Sequence, residues 1–358
     1  MMWPLLEGYE QYPLAVGVRR LLKRPDAVLV DHFLPASNGT MFGLTSVILG
    51  IPELNLYAAS RPTAQQPYET ALPVQLHAQG YKTRFLYGGF PSWNNVGAFI
   101  NHQQFDEKFY AANFKGNTGV WGVADREFLQ GVPSLIGSEP SFNVILTSSN
   151  HPPYRVDMSR EPDLPTVQDF AAMLPAGTAD KDLVAARMWH FAYADKYLAE
   201  FVETMLAKYP NSLFVIMGDH ADRWTLQSSP SDYERIAVPL VLVGPATKRV
   251  HLSPQVVGSH MDVAATVLEM TLAQGTPYYA LGRNIFTPAK NQVPVGVSAY
   301  YWMTPAEMGR VQDNQTELLP GVSQPLDEEA LKAVRQYVQD IRTIAAWRVL
   351  KGTELNKK

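Results

Sequence analysis

Short apolar runs alternate with stretches of helical periodicity along most of this chain. Runs of strand length lie at residues 1–6, 27–33, 81–87, 141–147, 213–217 and 238–243. Between and after them, residues 14–23, 41–49, 70–79, 182–208 and 262–272 carry apolar side chains three and four positions apart. In the longest of these stretches Trp189, Ala192, Tyr193, Tyr197, Phe201 and Met205 fall on one face. Glycines and prolines punctuate the pattern, as at Gly50-Ile51-Pro52, Gly80 and Gly88-Gly89. Strands that alternate with helices predict an α/β sandwich with a central, mostly parallel sheet and helices on both faces. Residues 53–69, 90–105, 155–180 and 225–234 read as loops. A last helix is expected at 328–350, with Leu331, Val334, Val338, Ile341 and Ala345 on one face. The expected organisation is a catalytic domain at 1–290 and a smaller C-terminal extension at 291–358, whose helix packs on the domain.

Composition narrows the picture. The chain has 358 residues, 46% of them hydrophobic, enough for a large core. A net charge of −4 gives no pull toward nucleic acid or an anionic membrane. The absence of cysteine excludes disulfides, thiol nucleophiles and thiolate metal sites. No apolar run approaches the ~20 residues that span a bilayer. No signal peptide is visible, and the chain opens almost directly into a strand. Those features predict a soluble extracytoplasmic domain, periplasmic or at the cell surface, of a protein anchored in the membrane through an upstream segment.

The candidate chemistry sits at strand ends. Gly218 stops one apolar run and delivers Asp219 and His220 side by side. A carboxylate beside an imidazole at such a place suits a divalent cation. Glu7 and His151 follow two other strands. Ser37-Asn38-Gly39-Thr40 is a tight turn running into a helix, so Thr40 lies near free backbone amides that favour a phosphoryl group. A threonine hydroxyl is a weak nucleophile until a metal holds it as the alkoxide. Glu7, Thr40, Asp219 and His220 together make a four-ligand set for one divalent ion, manganese first, with magnesium or zinc as alternatives. Ser37 is a rival nucleophile. His260 is a candidate ligand or supporting residue.

The ordered set Leu6-Glu7-Gly8-Tyr9, Asn38-Gly39-Thr40-x-x-Gly43-Leu44-Thr45, Trp93-Asn94, Trp121-Gly122, Ser149-Asn150-His151, Gly218-Asp219-His220 and Ser259-His260-x-Asp262 resembles the lipoteichoic acid synthase family. These are sulfatase-like members of the alkaline phosphatase superfamily. The resemblance implies that Glu7, Thr40, Asp219 and His220 match a single-metal site and that Thr40 matches the family's nucleophile. His151 matches a histidine that contacts substrate and protonates the leaving group. Trp93 matches a tryptophan lining the head-group pocket. Asn94 and Arg223 join Trp93 and His151 as candidate substrate contacts. One departure stands out: Asn95 occupies a place where the synthases often carry an arginine that holds phosphoryl oxygens.

The expected reaction is phosphoryl transfer of the phosphoglycerol or phosphoethanolamine type, from a lipid-linked or glycan phosphodiester through a covalent phospho-threonine. The alternatives are a phosphodiesterase that passes the group to water, a sulfatase-type hydrolase, and a binding domain without catalysis. The family's sulfatases convert a cysteine or serine in a Cys/Ser-x-Pro-x-Arg motif to formylglycine. The turn at Ser37 lacks that proline and arginine.

Overall fold

The computed structural model describes residues 5, 9–116, 118–221, 226, 229–250, 256–287 and 293–351. Over that span the alternation read from the sequence becomes layered α/β structure. Helix α1 (Val16–Leu21) leads into strand β1 (Ala27–Val30). Asp31 and His32 interrupt the apolar run, and the chain resumes as the two-residue β2 (Phe33–Leu34). Helix α2 (Thr40–Leu49) stops at Gly50, which takes the left-handed φ of 62° that side chains resist. Next come α3 (Leu72–Ala78), β3 (Lys82–Tyr87), α4 (Val96–Asn101) and β4 (Glu107–Phe109). Two short paired strands follow, β5 (Thr118–Gly119) and β6 (Gly122–Val123), then α5 (Asp125–Gly131) and β7 (Ser141–Leu146).

Helix α6 (Val167–Met173) falls inside the stretch expected to be loop. It exists because Thr166 and Asp169 cap it reciprocally and Phe170 is fully buried beneath it. Beyond it run α7 (Lys181–Lys208), β8 (Phe214–Met217), α8 (Asp232–Ile236), β9 (Leu240–Val243), β10 (Gly258–Ser259) and α9 (Val263–Thr271). Helix α8 starts in a second stretch expected to be loop, again behind a capping box, here Ser231 with Glu234.

Strands β4, β3 and β7 form one parallel sheet. Strands β1, β9 and β8 form another, in which β9 runs against both neighbours, so β1 and β8 point the same way. The outer edges of β7 and β8 line one cleft over their whole length. Neither edge pairs there with a described strand. Helix α7 is the spine of one face. Trp189, Tyr193, Ala199 and Val202 are buried along it, each large side chain contributing roughly 1.5–3 kcal/mol. Helix α1 lies against α7 because Gly17 lacks a side chain: a Cβ there would stand 2.5 Å from the Asp195 carbonyl oxygen. Helices α2, α3 and α9 cover another face, with Leu72, Leu76, Val263 and Leu268 buried against β1 and β9.

The chain then forms an antiparallel meander, β11 (Gly296–Val297), β12 (Tyr301–Met303), β13 (Glu307–Arg310) and β14 (Thr316–Leu318), closed by α10 (Glu328–Lys351). Val334, Val338, Ile341 and Ala345 are buried on the apolar face of α10, with Leu331 partly so. They share a cluster with Trp302, Met261 and Leu54. The meander also reaches the Ser37 turn, where Ala299 N donates to the Ala36 carbonyl at 2.8 Å. Among the described residues no helix is long and apolar enough to cross a membrane.

Candidate active site

Thr40 is the first residue of α2, and Gly39 before it provides no side-chain cap. The first helical bonds are those of Phe42 N and Gly43 N to the Gly39 carbonyl, at 3.0 and 3.2 Å. The amides ahead of them are free to face a ligand, with the positive end of the helix dipole behind them. Thr40 Oγ1 donates to Asp219 Oδ2 at 2.5 Å. Gly43 makes this approach possible. A Cβ at that position would lie 2.4 Å from the Asp219 carbonyl oxygen, so only glycine lets α2 rest on the end of β8.

His220 Nδ1 donates to the Ala221 carbonyl at 2.8 Å, which leaves Nε2 as the free lone pair. Nε2 is 3.6 Å from Asp219 Oδ2. Thr40 Oγ1, Asp219 Oδ2 and His220 Nε2 therefore converge. The 3.6 Å between Asp219 Oδ2 and His220 Nε2 suits two ligands of one cation with bonds of about 2.0–2.2 Å, whereas the 2.5 Å between Thr40 Oγ1 and Asp219 Oδ2 is a direct hydrogen bond. The carbonyl on Nδ1 is the kind of outer partner that orients a ligating imidazole. Among the described residues no group of three histidine or acidic side chains gathers at metal-ligand spacing. The third donor here is a hydroxyl. Glu7, the fourth expected ligand, lies outside the described residues, as does Arg223.

His260 is fully buried and fixes two loops together. Its Nδ1 accepts from Ala36 N at 3.2 Å and its Nε2 donates to the Gly218 carbonyl at 2.9 Å. Burial pushes its pKa down to about 4, so the ring is neutral in ordinary buffers. Both nitrogens are used by backbone, which gives His260 a supporting place between the Thr40 turn and the Asp219 strand end. Asp262 holds the same turn by accepting from Ser259 N at 2.8 Å and Arg283 N at 3.0 Å.

His151, Trp93 and Asn94 line the same cleft as Thr40, Asp219 and His220. His151 Nδ1 donates to the Pro152 carbonyl at 2.7 Å, leaving Nε2 available. The Trp93 ring packs 6.0 Å from that of Tyr87. Asn94 and Asn95 both take left-handed backbone, φ 43° and 57°, a strained turn of the kind concentrated at functional sites. Ser37 is buried and donates to Asn55 Oδ1, so its hydroxyl is committed away from the cleft.

Two cleft residues were not singled out by sequence reasoning. Arg187 of α7 lines the cleft, and its Nε donates to the Tyr154 hydroxyl at 3.0 Å. The Trp121 ring stands edge-on to His151 with centroids 4.1 Å apart. Trp121 was visible only as part of a motif. Arg187 had one faint signal, a cation within an otherwise apolar part of a long helix.

A family model described as Sulfatase matches residues 9–273. In three dimensions the chain is similar to the lipoteichoic acid synthase LtaP from Listeria monocytogenes, with a TM-score of 0.72 at 18% identity, covering 93% of this chain and 86% of that one. It is also similar to the C-terminal periplasmic domain of EcEptC from Escherichia coli, with a TM-score of 0.61 at 17% identity and 88% of each chain covered. A third similar structure is an alkaline phosphatase superfamily protein from Vibrio parahaemolyticus, with a TM-score of 0.68 at 17% identity, covering 94% of this chain and 83% of that one. The fold expected from the sequence and the family expected from its motifs both agree with these matches. The chain belongs to the sulfatase family, with a fold similar to that of the lipoteichoic acid synthase LtaP.

Proposed function

We propose that this protein is a metal-dependent phosphoryl-group transferase. It takes a phosphoglycerol or phosphoethanolamine group from a lipid-linked or glycan phosphodiester, through a phospho-threonine at Thr40. The observation that carries the reading is the contact of Thr40 Oγ1 with Asp219 Oδ2, 2.5 Å, at the uncapped head of α2.

Thr40, Asp219 and His220 would hold one divalent cation, with Glu7 as the fourth ligand. When bound, the ion supplies a lowered hydroxyl pKa and positive charge beside the phosphoryl oxygens. Manganese is the reading for the metal, with zinc or magnesium as alternatives. A structure of the E. coli relative is described as a complex with Zn.

In the first half-reaction Thr40 Oγ1 releases its proton to solvent water and bonds to phosphorus. The bond from phosphorus to the leaving oxygen breaks, and that oxygen takes the Nε2 proton of a doubly protonated His151, whose Nδ1–H stays on the Pro152 carbonyl. In the second half the acceptor hydroxyl returns its proton to His151 Nε2 and bonds to phosphorus. The bond from phosphorus to Thr40 Oγ1 breaks, and that oxygen takes a proton back from solvent water. The amides at the head of α2 face the charge that develops on the phosphoryl oxygens. Trp93 and Asn94 would shape the head-group end of the cleft, and Arg223 is a further candidate substrate contact.

Two observations weigh against the sulfatase-type alternative. The chain has no cysteine, and the hydroxyl of Ser37 is buried in its bond to Asn55. Transfer to water in place of an alcohol would use the same residues. We place the protein outside the cytoplasm, near the membrane that holds its substrate, with 1–290 as the catalytic unit and 291–358 as its extension. Incubation with an activated phosphodiester, acid quench and peptide mapping tests the proposal. Phosphate is expected on Thr40, and phosphate on Ser37 or full turnover by Thr40→Ala refutes it.

A further inference from the structure

Residues 121–125 reach the ends of both β3 and β7. Gly122, with φ 115°, lies on the backbone that follows β3: a Cβ there would stand 2.1 Å from the Gly88 carbonyl oxygen. Val123 N donates to that same carbonyl at 2.8 Å. Asp125, two residues on, turns to the end of β7. Its Oδ1 accepts from Ser148 N at 3.0 Å and from Ser149 N at 3.1 Å. Ser149 Oγ accepts in return from Asp125 N at 2.8 Å. Asp125 is 1% exposed and Ser149 8%. The second carboxyl oxygen, Oδ2, is buried and bonds to no described residue.

His151 follows two residues after this clamp. On its other side Trp121 Nε1 donates to the Pro152 carbonyl, and the Trp121 ring closes on the imidazole. One segment of five residues thus holds the backbone on both sides of His151. The Trp121 contact is open to the cleft, whereas the Asp125 contact is sealed from water. Burial drives the Asp125 carboxyl upward from its ordinary range, against the bonds it accepts from Ser148 and Ser149.

We infer that Asp125 is a positioning residue for proton transfer at His151. Through Oδ1 it fixes the backbone at Ser148 and Ser149, and thereby the reach of His151 Nε2 to the leaving oxygen. This rests on the reading of His151 as the proton donor. The work is that of an acceptor at one fixed place, not of a charge. An asparagine carbonyl can do the same, with its amide group in the place of Oδ2.

The test separates proton transfer from folding by varying the leaving group. Aryl oxygens leave as anions and need no proton, whereas alkyl oxygens need one. First-turnover rates would be measured on aryl and alkyl diesters of one phosphoglycerol head group. His151→Ala should lose about 10²-fold or more on the alkyl esters and little on the aryl ones, the usual size of general acid assistance. Asp125→Ala should reproduce that selectivity at about 10-fold or more, with KM nearly unchanged. Asp125→Asn should recover most of the alkyl rate, and Ser149→Ala should fall between.

An equal loss on both ester classes in Asp125→Ala, or an Asp125→Asn variant as poor as Asp125→Ala, overturns the inference. Should Asp125→Ala fail to fold, Ser149→Ala carries the same comparison, and an unselective result there overturns it too. A selective His151 series beside an unselective Asp125 series sinks the inference alone. An unselective His151 series removes the reading beneath it, and the inference with it.

Discussion

Thr40 and Asp219 stand 179 positions apart in the chain, yet the hydroxyl of one donates to the carboxylate of the other at 2.5 Å. The contact depends on a third position. Gly43 lies one helical turn beyond Thr40 and faces the carbonyl oxygen of Asp219. Helix α2 can therefore approach the end of β8 along bare backbone. His260 closes the same junction from beneath, through Ala36 N and the Gly218 carbonyl.

Gly43→Ala tests that geometry. The added methyl would meet the Asp219 carbonyl at 2.4 Å and the His260 ring at 3.0 Å, and backbone cannot yield as a flexible side chain would. Overpacking of this kind costs typically 1–3 kcal/mol. Turnover should fall by about 10²-fold or more, since small misplacements at a reacting atom are that costly. Thermal unfolding and a rate assay on the same preparation check both. Unchanged turnover in a folded Gly43→Ala protein contradicts the proposed role of the contact.

Metal content is the second test. Asp219→Ala removes the carboxylate that bridges the Thr40 hydroxyl and the His220 ring nitrogen. The variant should purify with little divalent metal and show no turnover, while its circular dichroism stays near that of the parent. Chelation of the parent should abolish activity, and added manganese should restore it. The same treatment should do nothing for Asp219→Ala. Elemental analysis of the two proteins decides, and full occupancy in the variant removes Asp219 from the site.

Parts of this arrangement were legible in the sequence for local reasons. Gly39 followed by Thr40 and an amphipathic run marks a helix head, and an apolar run stopped by Gly218 marks a strand end. Both are short-range signals. The partners of His260 and the role of Arg187 were not legible. Both ring nitrogens of His260 bond to backbone atoms distant in sequence, 42 residues away for Gly218 and 224 for Ala36. No spacing rule encodes such partners. Arg187 was hidden by the periodicity of α7. Helices α4, α5 and α6 have only six or seven residues, too few for two full turns of a repeating pattern. Their single buried aromatics, Phe99, Phe128 and Phe170, and the capping box of α6 show their purpose only once packed.

Arg187 supports a third prediction. The place after Trp93-Asn94 that often carries an arginine in the synthases holds Asn95 here, and Arg187 brings a guanidinium to the cleft from α7 instead. Tyr154 orients it through the hydroxyl and through a ring 5.8 Å from the guanidinium carbon. Arg187→Ala should raise KM for an anionic diester by about tenfold, or ~1.4 kcal/mol, and lower kcat less. Arg187→Lys should recover part of the loss, because charge persists without the planar fork. Steady-state kinetics at two salt concentrations would show it, and a KM indifferent to both variants would exclude Arg187 from substrate binding.

The last prediction concerns pH and sets two buried groups against each other. Burial pushes Asp195, which accepts from Gly17 N and Val18 N at the start of α1, up to about 6 from an ordinary 3.8. Burial pushes His260 down to about 4 from an ordinary 6.5. Between pH 4 and 6 folded Asp195 keeps a proton that the unfolded chain has released. Its contribution is therefore full below pH 4 and is lost as pH rises toward 6. His260 behaves oppositely. The unfolded chain takes up its proton as pH falls below 6.5, while the folded ring stays neutral until about 4, so stability is lost on acidification through that window. The two slopes oppose, and the parent protein should show little net dependence on these groups between pH 4 and 6. Asp195→Asn removes one slope while keeping one acceptor for α1. Relative to the parent, the variant should lose on the order of 2–3 kcal/mol more when taken from pH 6 to pH 4. Urea unfolding at both pH values measures the difference. Parallel stability curves for the two proteins would mean that Asp195 is ionised in the fold and that α1 is held by a carboxylate.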